Sequence, residues 1–358
     1  MQPDLSASVL FVTTASNAVG FGHLNRCLAL AVYANKCGAD VSFLVFGDVL
    51  AEAQVNAAGF ACVLLEESKM HTVDWVKSDR LQADVVIADL LFPGFFAFAA
   101  PSLLFGRLGS LGRLLVAIDA LGEDSILAKL PLIDADMVVS PYVNRGIDIS
   151  EIRWRYLQGS EYALLGVEYT NLPQRRQRAG ANRILVSCGG SDSKGYTIQV
   201  IFGLEAVTQP LEIRAVVGPM FSAELVANLK RMVARSNHHI VLVTAPSTLL
   251  NEMLWCDLAV GANGLTKYEL AASATPAILF SIDAHHDMAN RPFAARQTSI
   301  DLGIGVSPKK IEQETTRLLG NVALRSSMAK CGRMLVDGRG AERLFIEIKK
   351  ELSCLIKS

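Results

Sequence analysis

Four short stretches of the chain hold residue types that could bind an anion or move a proton. The first is Val19-Gly20-Phe21-Gly22-His23-Leu24-Asn25-Arg26. Gly20 and Gly22 let the backbone turn tightly and come close to a ligand. Free amides at the start of a helix favour negative groups. Asn25 stands where a dinucleotide fingerprint has its third glycine, so the G-x-G is incomplete. His23 falls where the helix begins, a place that disfavours an imidazolium. The ring reads either as a neutral general base facing a cleft or as a side chain that caps the loop. Arg26, one turn on, reads as a phosphate ligand or as a brace for the helix.

The second stretch is Ser187-Cys188-Gly189-Gly190-Ser191-Asp192. Amides and a hydroxyl on Gly189, Gly190 and Ser191 could hold phosphate oxygens. There is no G-K-[ST] ending, so this is not an ATP P-loop. The alternative is a plain turn in which Asp192 or Ser193 caps a helix. The third is Gly261-Ala262-Asn263-Gly264-Leu265-Thr266-Lys267-Tyr268-Glu269. Asn263, Gly264 and Thr266 could face a phosphate, and Glu269 could accept hydrogen bonds from both hydroxyls of a ribose. A solvated helix carboxylate is the other fate open to Glu269. The fourth is Asp283-Ala284-His285-His286-Asp287. Adjacent histidines on one helix point apart and no second cluster supplies ligands, so no metal site is expected. Asp134-Ala135-Asp136 reads as a turn rather than a metal-binding pair.

These stretches sit between elements that must position them. Val9–Thr13, Val41–Phe46, Cys62–Leu65, Val85–Ala88, Leu114–Ile118 and Met137–Ser140 are short apolar runs, separated by helix-like stretches such as 22–37 and 48–58. The runs are continuous rather than alternating, as in parallel strands covered on both faces. After a polar, arginine-rich segment the pattern restarts at Ile184–Ser187. It continues through Ile213–Val217, Ile240–Val243, Leu258–Val260 and Ala277–Phe280, and closes on an amphipathic helix over 341–356. The expected organisation is an N-terminal α/β domain over 1–170, an exposed linker over 171–183 and a C-terminal α/β domain over 184–358. Two facing domains of this kind hold a ligand in the cleft between them, at the carboxyl ends of strands. The basic cluster in 171–183 reads as a solvated strap or as a phosphate contact.

Composition narrows the classes. The chain has 358 residues, 51% of them hydrophobic, with 34 Lys+Arg against 35 Asp+Glu. That balance argues against a nucleic-acid partner. Seven cysteines lack any C-x-x-C, which argues against zinc ribbons and a disulfide framework and suits a cytoplasmic protein. No signal peptide is evident. Residues 90–106 carry no charge until Arg107, but Pro93, Gly94 and Pro101 interrupt them and they are short for a membrane span. They read as a buried helix with its loops, or as an apolar patch in peripheral contact with a bilayer or a lipid-linked acceptor.

Together, V-G-F-G-H-L-N-R-C-L-A-L-A (19–31), S-C-G-G-S-D, G-A-N-G-L-T-K-Y-E and V-D-G-R-G-A-E-R (336–343) resemble, in the same order, the spore-coat polysaccharide biosynthesis G-type proteins. They are similar also to the UDP-sugar hydrolase of pseudaminic acid synthesis. The resemblance implies a GT-B fold, meaning two facing Rossmann-like domains with parallel sheets and a nucleotide sugar in the interdomain cleft. It implies that His23 is the catalytic histidine and that Gly189, Gly190 and Ser191 form the first loop of the C-terminal half. It implies a diphosphate-binding loop at Asn263, Gly264 and Thr266, and a ribose-binding acid at Glu269. Two departures stand out. Thr14-Ala15-Ser16 replaces an Asp ahead of the Ala-Ser, and Leu91 stands where the hydrolase carries a Tyr two residues after Asp89. Loss of that phenol weakens the reading in which water attacks.

The expected function is a nucleotide-sugar dependent glycosyltransferase of surface polysaccharide or glycan biosynthesis. UDP is inferred from the resemblance, and no cofactor or metal is expected. His23 would deprotonate a sugar or lipid-linked acceptor. The alternatives are hydrolysis by water of the UDP-2,4-diacetamido-2,4,6-trideoxy-altropyranose type, and a non-catalytic sugar-nucleotide binding scaffold.

Overall fold

The chain is described by a computed structural model over residues 7–16, 19–72, 81–91, 95, 101–120, 125–129, 133–143, 154–246, 248–262 and 264–357. It divides into two compact units, Met1–Val167 with Gly338–Ser358, and Glu168–Asp337.

In the first unit, β1 (Ser8–Ala15), β2 (Asp40–Gly47), β3 (Ala61–Leu65), β4 (Ala83–Asp89), β5 (Gly112–Ile118), β6 (Met137–Ser140) and β7 (Arg155–Gln158) form a parallel sheet in the order β3-β2-β1-β4-β5-β6-β7. Helix Gly22–Lys36 covers one face, packing Leu24, Cys27 and Leu30 on Val9, Phe11 and Phe43. Helix Pro101–Gly109 covers the other, packing Leu104, Phe105 and Leu108 with Leu10, Val12 and Val86. Burial on both faces is why these strands read as unbroken apolar runs.

The second unit repeats the plan. Here β8 (Arg183–Ser187), β9 (Glu212–Val217), β10 (His239–Thr244), β11 (Leu258–Ala262), β12 (Ala277–Ser281) and β13 (Ser299–Ile304) are parallel in the order β10-β9-β8-β11-β12-β13. β11 lies so close to β8 that a Cβ on Gly261 would run into the Ser187 carbonyl. In both sheets the strand order reverses beside the first strand, between β1 and β4 and between β8 and β11. Loops leaving such a reversal diverge and open a crevice at the carboxyl ends of the strands.

β7 and β13 were not legible as strands. β7 fully buries only Leu157, with Tyr156 half-buried, and β13 is interrupted by Asp301 and Gly303. The last helix, Gly340–Lys357, differs from the expected domain boundary. It buries Ala341, Leu344, Phe345, Ile348 and Leu352 in the core of the first unit, so the chain returns to where it began. Residues 171–183 are largely exposed but fastened at several points. Arg175 donates to the carbonyl of Met253 at 2.7 Å, to Thr275 Oγ1 at 2.8 Å and to the Cys256 carbonyl. Arg333 holds the Leu172 carbonyl at 2.9 Å, and buried Arg325 holds that of Arg178. These arginines tie the segment to the second unit.

Of residues 90–106, positions 92–94 and 96–100, with Phe92, Phe96 and Phe98, lie outside the described residues. Leu90, Leu91, Phe95 and Phe105 are buried in the core of the first unit, while Leu103 is exposed. Among the described residues no helix is long and apolar enough to cross a membrane.

Candidate functional site

The switch point of the first sheet carries a buried charge cluster. β1 runs into the turn holding Gly20, whose φ is +86°, and Gly22 opens the helix that presents His23 and Arg26. β4 ends on Asp89, fully buried beside them. His23 Nδ1 lies 2.7 Å from Asp89 Oδ1. Arg26 grips the same carboxylate with both arms, Nε to Oδ2 at 3.0 Å and Nη2 to Oδ1 at 2.8 Å. Arg26 Nη1 donates to the phenol oxygen of Tyr142, just past β6, at 2.6 Å.

Burial alone would push the Asp89 carboxyl up, but the Arg26 guanidinium and the His23 ring outweigh it and hold it below the usual carboxylate range. Asp89 is therefore ionised and accepts only. Nδ1 of His23 must then carry the proton and donate it to Asp89, which leaves Nε2 as the basic nitrogen. In that tautomer the 3.1 Å approach of Arg26 Nη2 to Nδ1 is donor against donor, and the guanidinium belongs to Asp89. Burial opposes the Arg26 cation too, yet Asp89 and Tyr142 together keep its pKa above the ordinary value. Burial raises Tyr142, so its phenol stays protonated at neutral pH.

The sequence placed His23, Arg26, Gly20 and Gly22 here. It named Asp89 only to locate Leu91 and gave Tyr142 no part. The signal for Asp89 was present, because a carboxylate closing an apolar strand beside β1 sits at the crevice. Tyr142 follows Pro141 after β6 and had no local signature. Tyr142 thus brings a phenol to the cluster from the segment just past β6.

In the second unit the turn after β8 contains Gly189 at φ +91°, a left-handed conformation that glycine adopts without strain. Asp192 is buried and accepts from the amides of Tyr196 at 2.7 Å and Thr197 at 2.9 Å. The opening amides of helix Tyr196–Leu204 are thus already taken. Those two amides are not free for an anion, which leaves the turn at Gly189, Gly190 and Ser191 as the nearer set of donors.

After β11, Asn263 lies outside the described residues. Gly264 is exposed with φ +105°, and Thr266 begins helix Thr266–Ala272. The Thr266 hydroxyl and the Tyr169 phenol lie near the Glu269 carboxyl and favour its ionised form. Burial and the neighbouring Glu168 charge nevertheless push Glu269 up to about 7. Thr248 Oγ1 donates to Glu168 at 3.2 Å, completing a cluster of two carboxyls and three hydroxyls. Tyr169 and Glu168 came from the segment before the linker and were missed. Lys267, also missed, is buried between the Tyr268 and Phe293 rings, at 5.7 and 5.5 Å. Burial brings it down to about 7 against the pull of Asp301.

The histidine pair does not converge. Asp283 caps helix Ala284–Ala295, accepting from the His286 amide at 2.9 Å and lying 2.8 Å from His286 Nδ1. Asp136 accepts from the Leu115 amide at 2.7 Å, as a turn carboxylate does.

Two parallel α/β units, each with a glycine turn at its switch point, define a chain of GT-B architecture. The chain is similar to the spore coat polysaccharide biosynthesis protein SpsG of Bacillus subtilis, with 27% identity over 253 residues, 68% of this chain and 74% of that one. Its fold matches CalG4, the calicheamicin glycosyltransferase, with a TM-score of 0.65 over 97% of this chain and 98% of that one, at 15% identity. It matches S. aureus MnaA, solved with UDP, with a TM-score of 0.67 over 98% of each chain, at 13% identity. No family profile matches the chain.

Proposed function

We propose that the protein is a glycosyltransferase that uses a nucleotide sugar, with UDP as the nucleotide, in the synthesis of a surface polysaccharide or glycan. The observation that carries this is the His23–Asp89 contact of 2.7 Å at the carboxyl end of β1 and β4. It fixes a tautomer with a free basic nitrogen at the position where an α/β sheet receives its ligand. The likeness to SpsG and the fold shared with CalG4 and with UDP-bound MnaA support the substrate class.

In this reading the second unit holds the donor. Amides of Gly189, Gly190 and Gly264, with Ser191, Asn263 and Thr266, take the diphosphate, and ionised Glu269 takes the ribose hydroxyls. His23 Nε2 removes the proton from the acceptor hydroxyl as it attacks the anomeric carbon. The anomeric C–O bond breaks and its electron pair leaves with UDP, whose growing charge the turn amides stabilise. Asp89 keeps the ring in the required tautomer and stabilises the imidazolium that forms. Arg26 keeps Asp89 in place and holds Tyr142. No metal or cofactor has a step in this scheme.

Hydrolysis, with water as the acceptor, is the second reading. Tyr142 favours it, because a protonated phenol 2.6 Å from Arg26 restores to the cluster the group that Leu91 lacks. Incubation with a panel of UDP-sugars, with and without sugar or lipid-linked acceptors, tests both. Release of UDP that depends on acceptor supports transfer. Rapid release of UDP and free sugar without acceptor supports hydrolysis. No release under either condition, together with UDP binding, leaves the scaffold reading.

A further inference from the structure

The second unit has a cavity of about 780 Å³ far from its glycine turns, walled by the 172–177 segment and by helix Val322–Leu335. That volume lies within the range of small-molecule sites. Ser326, Ala329, Lys330, Arg333 and Met334 recur at three- and four-residue spacing, so one face of the helix lines it. Small side chains, Ala274 and Ala329, leave it open. Ala274 precedes β12, and the Cys256 carbonyl bound by Arg175 precedes β11. The cavity therefore lies where the strands begin, at the opposite end of the sheet from the turns at 189–191 and 264–266.

Four cations line it, Arg175, Arg176, Lys330 and Arg333, and no carboxylate does. Among the described residues none of the four forms an ion pair. Arg175 and Arg333 are held by carbonyls at the ends of two helices, Met253 of Leu250–Trp255 and Ala272 of Thr266–Ala272. Carbonyl partners fix each guanidinium in place without supplying an opposite formal charge, so two positive charges are held in a cavity whose lining carries no carboxylate. Arg176 and Lys330 are exposed at its rim.

We propose that this cavity is a second anion site, distinct from the donor turns, that takes a small molecule carrying two or more phosphate groups. Several fixed cations in one metabolite-sized cavity call for a multivalent oxyanion, because a single charge would leave the rest uncompensated. Planar guanidinium forks match phosphate oxygens. The inference does not rest on the donor reading.

The test is calorimetric titration of the full chain with inorganic tripolyphosphate and, separately, with UDP, for the wild type and for Arg176→Ala/Lys330→Ala. Both residues are exposed, so the variant should melt as the wild type does. The expected result is salt-sensitive tripolyphosphate binding that the variant weakens roughly tenfold or more, or a stoichiometry that falls by one site, with UDP binding unchanged. Equal tripolyphosphate affinity and stoichiometry in the two proteins would overturn the proposal, as would no binding by the wild type. Loss of UDP binding in the variant would also overturn it, since the cavity would then not be separate from the donor turns.

Discussion

Asp89→Asn keeps the shape of the side chain and removes the charge that His23 and Arg26 share. The carboxylate receives Arg26 Nε at 3.0 Å, Arg26 Nη2 at 2.8 Å and His23 Nδ1 at 2.7 Å. An amide offers one oxygen, and its NH₂ must face another donor. Arg26 would remain buried with its charge unmatched. Breaking a buried pair in this way costs about 3–5 kcal/mol. With a urea slope of about 2 kcal/mol per molar, the unfolding midpoint of the first unit should fall by roughly 1.5–2.5 M. Fluorescence of Trp154, buried in that unit, can follow it. In Arg26→Met/Asp89→Asn no uncompensated charge is left, so the double variant should lose less than the sum of the single losses, by about 1–3 kcal/mol. The pH dependence has a definite sign. Because the folded carboxyl lies below its unfolded value, its contribution is complete above about pH 4 and fades as pH falls through the folded value. Asp89→Asn should lack that acid dependence. An unchanged midpoint for Asp89→Asn, or strict additivity in the double variant, would refute the reading of the cluster as one coupled charge unit.

Leu344→Ala, at a fully buried position of the last helix, should destabilise the first unit by about 2–5 kcal/mol and leave the second unchanged, as read by hydrogen exchange in each unit. Lys267 is brought down to about 7 in the fold, so between pH 7 and its unfolded value near 10.5 the unfolded chain holds the extra proton. Stability of the second unit should therefore rise with pH across that window, and Lys267→Met should flatten the rise in a series of denaturant melts. Glu269 stands at about 7, and a ribose diol donating to it favours the ionised form. UDP binding near pH 6.5 should thus release a proton, seen as a binding enthalpy that depends on the buffer, and Glu269→Gln should abolish that dependence.

Much of the fold was legible because buried parallel strands leave apolar runs that local sequence shows directly. Eleven of the runs named from sequence coincide with strands, but β7 and β13 were not among them, since edge strands need bury few side chains. The destination of the last helix was not legible. Its apolar stripe shows that Leu344 and Ile348 are buried, and nothing local says against which sheet. The 171–183 segment is largely exposed, but the carbonyls that hold the Arg175 side chain come from distant positions and had no local signature. At the site, glycine turns and His23 carry local signatures. Asp89, closing β4, and Tyr142, just past β6, lie 63 and 116 positions away from Arg26, and only the sheet order brings them together. The raised Glu269 likewise owes its shift to burial and then to Glu168, about a hundred residues earlier in the chain, while Tyr169 pulls the other way.

The central claim is that His23, oriented by Asp89, is the base for the attack that releases UDP. The direct measurement is the single-turnover rate of UDP release from the UDP-sugar that the panel identifies, for the wild type and His23→Ala, alongside UDP affinity for each. The account expects the rate to fall by about 10²–10⁴ with affinity unchanged, because it assigns the donor to the turns of the second unit. A His23→Ala protein that releases UDP at the wild-type rate would contradict it.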